Sequence, residues 1–154
     1  MKASPYGKDG GPDEEGPNDN RVAPAVPVKR PVSVLAEADT TLRKQCADAL
    51  MQAGFAVEAR DSGIEAVVAA RELQPDLIVL GSQLRDVPAR EALEWLKANA
   101  ALRETPILIL GATPIDEAML DGGQRVDVLP RPITALKIQR AIAAYFPATN
   151  NGAA

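Results

Sequence analysis

The chain has 154 residues, 46% of them hydrophobic, enough for one domain with a single core and too little for two. Its 17 basic and 21 acidic residues leave a net charge of −4, so no electrostatic reason exists to expect direct nucleic-acid binding or an anionic membrane surface. The absence of histidine and the presence of a single cysteine, Cys46, exclude Ser-His-Asp, Cys-His and zinc-type constellations and any internal disulfide.

Residues 1–30 hold five prolines and four glycines among Lys, Asp, Glu and Asn, with no apolar periodicity before Val22. Such a composition cannot bury enough apolar surface to offset chain entropy, so it reads as a disordered Pro/Gly-rich tail, either a solvated leader or a partner-binding segment. Its opening, Met1-Lys2-Ala3-Ser4-Pro5, lacks the apolar stretch of a secretory signal, and no run of about 18 apolar residues follows. A cytoplasmic protein is expected, with one domain over residues 31–147 and a flexible tail at 148–154.

From Pro31 onward, aliphatic runs alternate with amphipathic stretches. Val32-Ser33-Val34-Leu35-Ala36 is strand-like. Leu42, Cys46, Ala49, Leu50 and Ala53 then follow helical spacing over 40–53, which places Cys46 as a small buried hydrophobe, and Gly54 supplies a stop. Phe55-Ala56-Val57-Glu58-Ala59 suits an edge strand. Ile64, Val67, Val68 and Leu73 outline a second helix after Asp61-Ser62-Gly63, ended by Pro75. Leu77-Ile78-Val79-Leu80 is apolar on both faces, as a central strand covered by helices must be. Ala89, Ala92, Leu93 and Leu96 mark a third helix, and Pro106-Ile107-Leu108-Ile109-Leu110 a fourth strand. Ile115, Ala118 and Met119 suggest a short helix cut off by Gly122-Gly123, followed by a fifth strand, Val126-Asp127-Val128-Leu129. A last helix spans about 134–145 with Ile138, Ala141, Ile142 and Tyr145 on one face, before Pro147.

Strands and helices in strict alternation argue for an α/β domain: a parallel sheet with helices on both faces, joined by right-handed crossovers. Chemistry in such sheets gathers at the carboxyl ends of the strands near the topological switch point, here residues 37–39, 81–85, 111–113 and 130–132.

Those strand ends carry a specific resemblance. Pro75-Asp76-Leu77-Ile78-Val79-Leu80, with Leu84-Arg85-Asp86 and Glu91-Ala92-Leu93, resembles the middle of a bacterial response-regulator receiver domain of the chemotaxis-regulator type. Val34-Leu35-Ala36-Glu37-Ala38-Asp39 resembles the first strand and acidic turn of that family, Asp61-Ser62-Gly63-Ile64-Glu65-Ala66 its lead-in to the second helix, and Asp127-Val128-Leu129-Pro130-Arg131-Pro132 its last strand and Lys-Pro turn. The pieces come in the family's order over roughly residues 31–146. The resemblance implies a flavodoxin-like (βα)5 fold with strand order 2-1-3-4-5, and a cis Arg131-Pro132 bond.

The family's reaction uses an aspartate at the end of the third strand as phosphoryl acceptor, acidic residues after the first strand that help to hold Mg2+, a hydroxyl after the fourth strand and a lysine after the fifth. The resemblance puts Gly81 at the acceptor position, Glu37 and Ala38 at the acidic pair, Gly111 at the hydroxyl, Arg131 at the lysine before Pro132, and Val128 at the aromatic residue that rotates in signalling members. Gly81 has no side chain to phosphorylate, and one carboxylate, Glu37, is left for the metal. No phosphoacceptor, catalytic residue, metal or cofactor is therefore expected, and the protein should not be an enzyme. Ser82 adjoins the lost acceptor but has no general base. Asp86 suits a turn residue better than an alternative acceptor, and Asp39 a helix N-cap better than a metal ligand. Glu37 and Arg131 converge on one cleft, so a direct ion pair is expected where the metal would be, the alternative being two separately hydrated side chains.

What remains is a fold and its surfaces. The expected function is a phosphorylation-independent protein-interaction module, an adaptor or regulator in two-component signalling, whose partner is a histidine kinase, phosphotransfer protein or downstream regulator. Candidate surface residues are Trp95, Ile115, Met119, Val128 and Ile133. Trp95 lies off its helix's apolar stripe and is either an interface anchor or a cover for the following loop; Ile115 and Met119 are either an exposed patch or core. An alternative function is a receptor for a small molecule or nucleotide second messenger, with Gly81 and Gly111 enlarging the cleft and Arg131 meeting a phosphate.

Overall fold

In a computed structural model the described residues are 30–111 and 126–145. Each aliphatic run among them is a strand: β1 (Val32–Ala36), β2 (Ala56–Arg60), β3 (Leu77–Gly81), β4 (Ile107–Leu110) and β5 (Val126–Leu129). All pair in parallel, in the order β2-β1-β3-β4-β5. The flavodoxin-like order implied by the resemblance is thus the observed one. The chain steps outward from β1 to β2 and then crosses to β3, so the carboxyl ends of β1 and β3 flank the switch point.

The helices are α1 (Thr40–Gln52), α2 (Gly63–Leu73), α3 (Ala89–Ala98) and α4 (Ala135–Tyr145), with one 3-10 turn at Ala100–Leu102 that periodicity did not foretell. The helix expected around Ile115 and Met119, and both tails up to residue 29 and from 146, lie outside the described residues.

Alternation along the strands divides the core into two layers. Val34 and Ala36 of β1 and Ile78 and Leu80 of β3 face Ala66, Val67 and Ala70 of α2 and Ala92, Leu93 and Leu96 of α3. Leu35, Leu77 and Val79 face the other way, against Cys46, Ala49 and Leu50 of α1 and Ile138 and Ile142 of α4. β3 is buried along its whole length and lies in the middle of the sheet, as its two-faced apolar sequence requires. Cys46 is buried, and loss of hydration pushes its thiol up to about 12, with the charge of Glu37 adding to the shift. It is a core residue and not a nucleophile at neutral pH.

Two details correct the sequence reading. The second helix buries Ala66, Val67, Ala69 and Ala70, while Ile64 and Val68, which the apolar stripe seemed to include, are close to half exposed. Small alanines let α2 sit close to the sheet, and that turns the larger aliphatics outward. β2 begins at Ala56, one residue later than expected, because the Phe55 N–H donates back to Leu50 O at the end of α1 and the sheet bonds start with the Ala56 N–H on Pro31 O.

Candidate functional site

The carboxyl ends of β1, β3, β4 and β5 bring Glu37, Ala38, Gly81, Gly111, Arg131 and Pro132 to one edge of the sheet. Three anchors fix the turn after β1. The Glu37 N–H donates to Arg60 O, the Ala38 N–H donates to Gln83 O, and Arg43 Nη1 of α1 donates to Glu37 O at 2.8 Å. Asp39 is the N-cap of α1, its side chain accepting from the Leu42 N–H at 3.1 Å, as expected.

This turn directs Glu37 inward. The residue is 2% exposed. Its Oε2 accepts the Asp39 N–H at 2.8 Å, while Oε1 is buried without a hydrogen-bond partner among the described residues. A Cβ built on Gly81 would lie 1.9 Å from Glu37 Oε1 and 2.6 Å from its Cδ. The carboxylate thus occupies the space above Gly81, where an aspartate side chain would begin.

A similar replacement happens one strand over. A Cβ built on Gly111 would lie 2.7 Å from Ser82 Oγ, so the serine hydroxyl fills the space above the glycine at the family's hydroxyl position. Gly111 itself has φ +105, a conformation that favours glycine, and its N–H donates to Leu129 O. Arg131 Nη2 donates to Ser82 Oγ at 3.2 Å.

Two expectations fail here. Glu37 and Arg131 do not pair directly; the guanidinium bonds Ser82, while Glu37 Oε1 stays without a partner. The two glycines do not enlarge the cleft, because Glu37 and Ser82 take the volume they leave. Ser82 is also more central than the sequence suggested. Strand alternation would turn it away from its neighbour's face, but β3 ends at Gly81, so the rule no longer governs the next side chain. The Arg131-Pro132 bond is cis, as the resemblance implied.

Burial raises the Glu37 carboxyl above its ordinary 4.5. The Asp39 N–H opposes the rise, the charge of Asp39 adds to it, and Arg131 reduces it from a distance.

Asp86 forms a second polar centre that the sequence placed only as a turn residue. It accepts from Ser62 Oγ at 2.5 Å, from the Gly63 N–H at 2.8 Å and from the Ile64 N–H at 3.4 Å, so it caps α2 from the loop after β3. Ser62 Oγ in turn accepts the Glu65 N–H at 3.0 Å. Arg85 beside it pairs with Asp61 and Glu65. Leu84 and Val87 close over Gly63, where a Cβ would meet them at 2.9 and 2.6 Å. The start of the helix after Asp61-Ser62-Gly63 was legible; the contact from Asp86, 24 residues beyond Ser62, was not.

Of the surface residues singled out, Trp95 is 38% and Val128 37% exposed, whereas Ile133 is half-buried against the α1 and α4 layer. Ile115 and Met119 lie outside the described residues.

The comparisons with known proteins agree with this geometry. Over 119 residues the chain is 30% identical to the polar-differentiation response regulator DivK of Brucella anthropi, a span of 75% of this chain and 97% of that protein. The chain belongs to the response-regulator receiver family. The DivK of Brucella ovis is 31% identical over 101 residues, 64% of this chain and 82% of that protein. No protein-family model matches. The solved structures show the fold alone, at low identity. The chemotaxis response regulator CheY4 of Vibrio cholerae superposes with a TM-score of 0.67 at 18% identity, over 76% of this chain and 99% of that one. The receiver domain of sensor histidine kinase PA1611 from Pseudomonas aeruginosa, solved with a magnesium ion in its active-site cleft, gives 0.65 at 23%, over 76% and 98%.

A receiver of this family implies Mg2+, and the residues here do not fit it. Mg2+ takes oxygen donors in near-octahedral array and usually needs at least one or two carboxylates with room for water. Among the described residues no three acidic, histidine or cysteine side chains converge. Among the described residues Glu37 is the one carboxylate aimed into the cleft, and its Oε1 lies over Gly81. Ala38 offers no donor, and Asp39 is engaged at the N-terminus of α1. Among the described residues no helix is long and apolar enough to cross a membrane.

Proposed function

We propose that this receiver domain acts as a phosphorylation-independent protein-interaction module, an adaptor or regulator of two-component signalling, and that it is not an enzyme. The observation that carries the reading is the Glu37 carboxylate lying in the space above Gly81, where the family's acceptor would project. Phosphoryl transfer in this family needs a nucleophilic carboxylate with a metal-neutralised approach, and the cleft supplies neither an accessible carboxylate nor a set of metal donors.

The sheet and its two helical layers meanwhile keep the family's frame, with helix faces placed where a partner can reach them. A chain that resembles a response regulator but lacks its acceptor can share that regulator's partners without sharing its switch. The partner is accordingly a histidine kinase, a phosphotransfer protein or a downstream regulator, and Trp95, Val128 and Ile133 are the described residues offered for contact. The receptor reading, with a small molecule or nucleotide in the cleft, has no observation in its favour, because the chain's own side chains fill the space above both glycines.

Incubation of the whole chain with acetyl phosphate and Mg2+, followed by intact-mass measurement, tests the proposal. No phosphoryl adduct is expected, and the affinity for a captured signalling partner should be the same with and without the phosphodonor. A stable adduct on a cleft residue, or a partner bound only after phosphodonor treatment, overturns it.

A further inference from the structure

The glycines at 81 and 111 have different reasons to be glycine. Gly111 has φ +105, so its backbone alone explains the choice. Gly81 is not among the residues with positive φ, and the last position of a buried parallel strand accepts a side chain without backbone strain. Space is what excludes one there. The first atom a Cβ would meet is Glu37 Oε1 at 1.9 Å, and the next backbone atom, Ala36 O, stands at 3.1 Å, tight but tolerable with a small shift.

We propose that Glu37 is a built-in plug of the strand-end cleft, and that Gly81 is glycine because Glu37 fills its side-chain space. The inference concerns the same cleft as the proposed function but does not depend on partner binding. The family's groups are thereby rearranged among the strands. Glu37 keeps the family's acidic place after β1 but lies over the β3 position, the hydroxyl comes from the end of β3 and not β4, and the cation stays after β5 as Arg131. Loss of the acceptor alone would leave an open notch; Glu37 and Ser82 close it.

One contact holds the carboxylate itself, the Asp39 N–H on Oε2, while Arg43 on the Glu37 carbonyl and the Ala38 N–H on Gln83 O fix the backbone it springs from. Swinging the carboxylate outward requires the Asp39 contact to break. Keeping it inward leaves Oε1 without a donor. A buried acceptor without a partner is unfavourable, so the arrangement persists because the surrounding turn fixes it.

Four full-length proteins test the inference: wild type, Gly81→Ala, Glu37→Ala and the double variant, each unfolded thermally. Gly81→Ala in the wild-type background should lower Tm by a few degrees, because the added methyl displaces the Glu37 carboxylate from its buried place and from the Asp39 N–H. In the Glu37→Ala background, where the space above Gly81 is vacated, the same change should lower Tm by less than about a third as much. Equal losses in both backgrounds, or a tolerated Gly81→Ala in wild type, overturns the plug. Amide hydrogen exchange supplies a second reading that needs only the Glu37→Ala protein. Exchange at Gly81 and Ser82 should quicken while the Gly111 amide, bonded to Leu129 O, serves as the unchanged reference. Unaltered exchange at Gly81 and Ser82 counts against closure by Glu37. A phosphoryl adduct on the wild-type chain would overturn the proposed function and leave this cycle standing, whereas additivity in the cycle would remove the plug and leave partner binding standing.

Discussion

Two carboxylates at the same edge of the sheet are treated in opposite ways. Asp86 is exposed and receives three donors, one hydroxyl and two N–H groups at the start of α2, where the helix dipole also favours a negative charge. Glu37 is buried and receives one, with its second oxygen unpaired. The hydrogen bond from Ser62 holds the Asp86 carboxyl below its ordinary 3.8, and burial holds the Glu37 carboxyl above its ordinary 4.5. One charge supports the fold and the other opposes it. The first therefore belongs to scaffolding and the second to the remnant of a site, since unfavourable polar burial persists where a cleft has been remodelled around it.

Removing Asp86 should break this contrast most severely. Asp86→Ala leaves the Gly63 N–H and Ser62 hydroxyl without their acceptor and releases the loop that Leu84 and Val87 hold over Gly63. A clear fall in Tm is expected, with faster amide exchange at Gly63 and Ile64, and Asp86→Asn should recover part of both. An Asp86→Ala protein with wild-type Tm would show that the loop holds itself by apolar contact alone.

Neutralising Glu37 should act in the opposite direction. Its folded value lies above the unfolded one, so the folded state binds the proton more tightly, and stability falls as pH rises above 4.5 and through the raised folded value. Below 4.5 that loss is absent. For Asp86 the sign reverses: its contribution is complete above 3.8 and is lost as pH falls through the lowered folded value. Glu37→Gln removes the first dependence and keeps the second. It should stabilise the protein at neutral pH, because a neutral amide avoids the cost of burying the charge, and make little difference near pH 4. Urea unfolding of both proteins across that range checks it, and parallel curves would mean that Glu37 is not the group responsible.

The sequence displayed the scaffolding far better than the remodelled cleft, and the reasons are physical. Strand and helix periods are local, so β3 as the central strand and Cys46 as core could be read from a few neighbouring residues. Asp39 as N-cap followed from its place before a helical stripe. The cis Arg131-Pro132 bond followed from the resemblance. The contents of the cleft were not legible in this way. Whether Glu37 turns toward Arg131 or lies over Gly81 depends on the direction of one side chain between neighbouring strands, which no periodicity encodes. Ser82 could be placed only once β3 was known to stop at Gly81, and the cap that Asp86 gives α2 joins segments far apart in the chain. Composition misled once, at α2, where large aliphatics seemed to define the buried face and alanines occupied it.

The smallest expected effect on stability bears most directly on why Glu37 stays unpaired. Arg131 is exposed and bonds Ser82 Oγ at 3.2 Å, an interaction of the kind that contributes little in water. Ser82→Ala should therefore change stability by no more than about 0.5 kcal/mol. It also frees the guanidinium, whose charge already reduces the proton affinity of Glu37. The Glu37 carboxyl should then titrate at a lower pH in Ser82→Ala than in wild type, as followed by carbon-13 NMR of its side chain. Adding Arg131→Ala should reverse the change, because the cation that lowered the value is gone. A midpoint that stays in place or rises in Ser82→Ala would mean that Ser82 does not hold Arg131 away from the carboxylate, and that the anchored turn alone keeps the two charges apart.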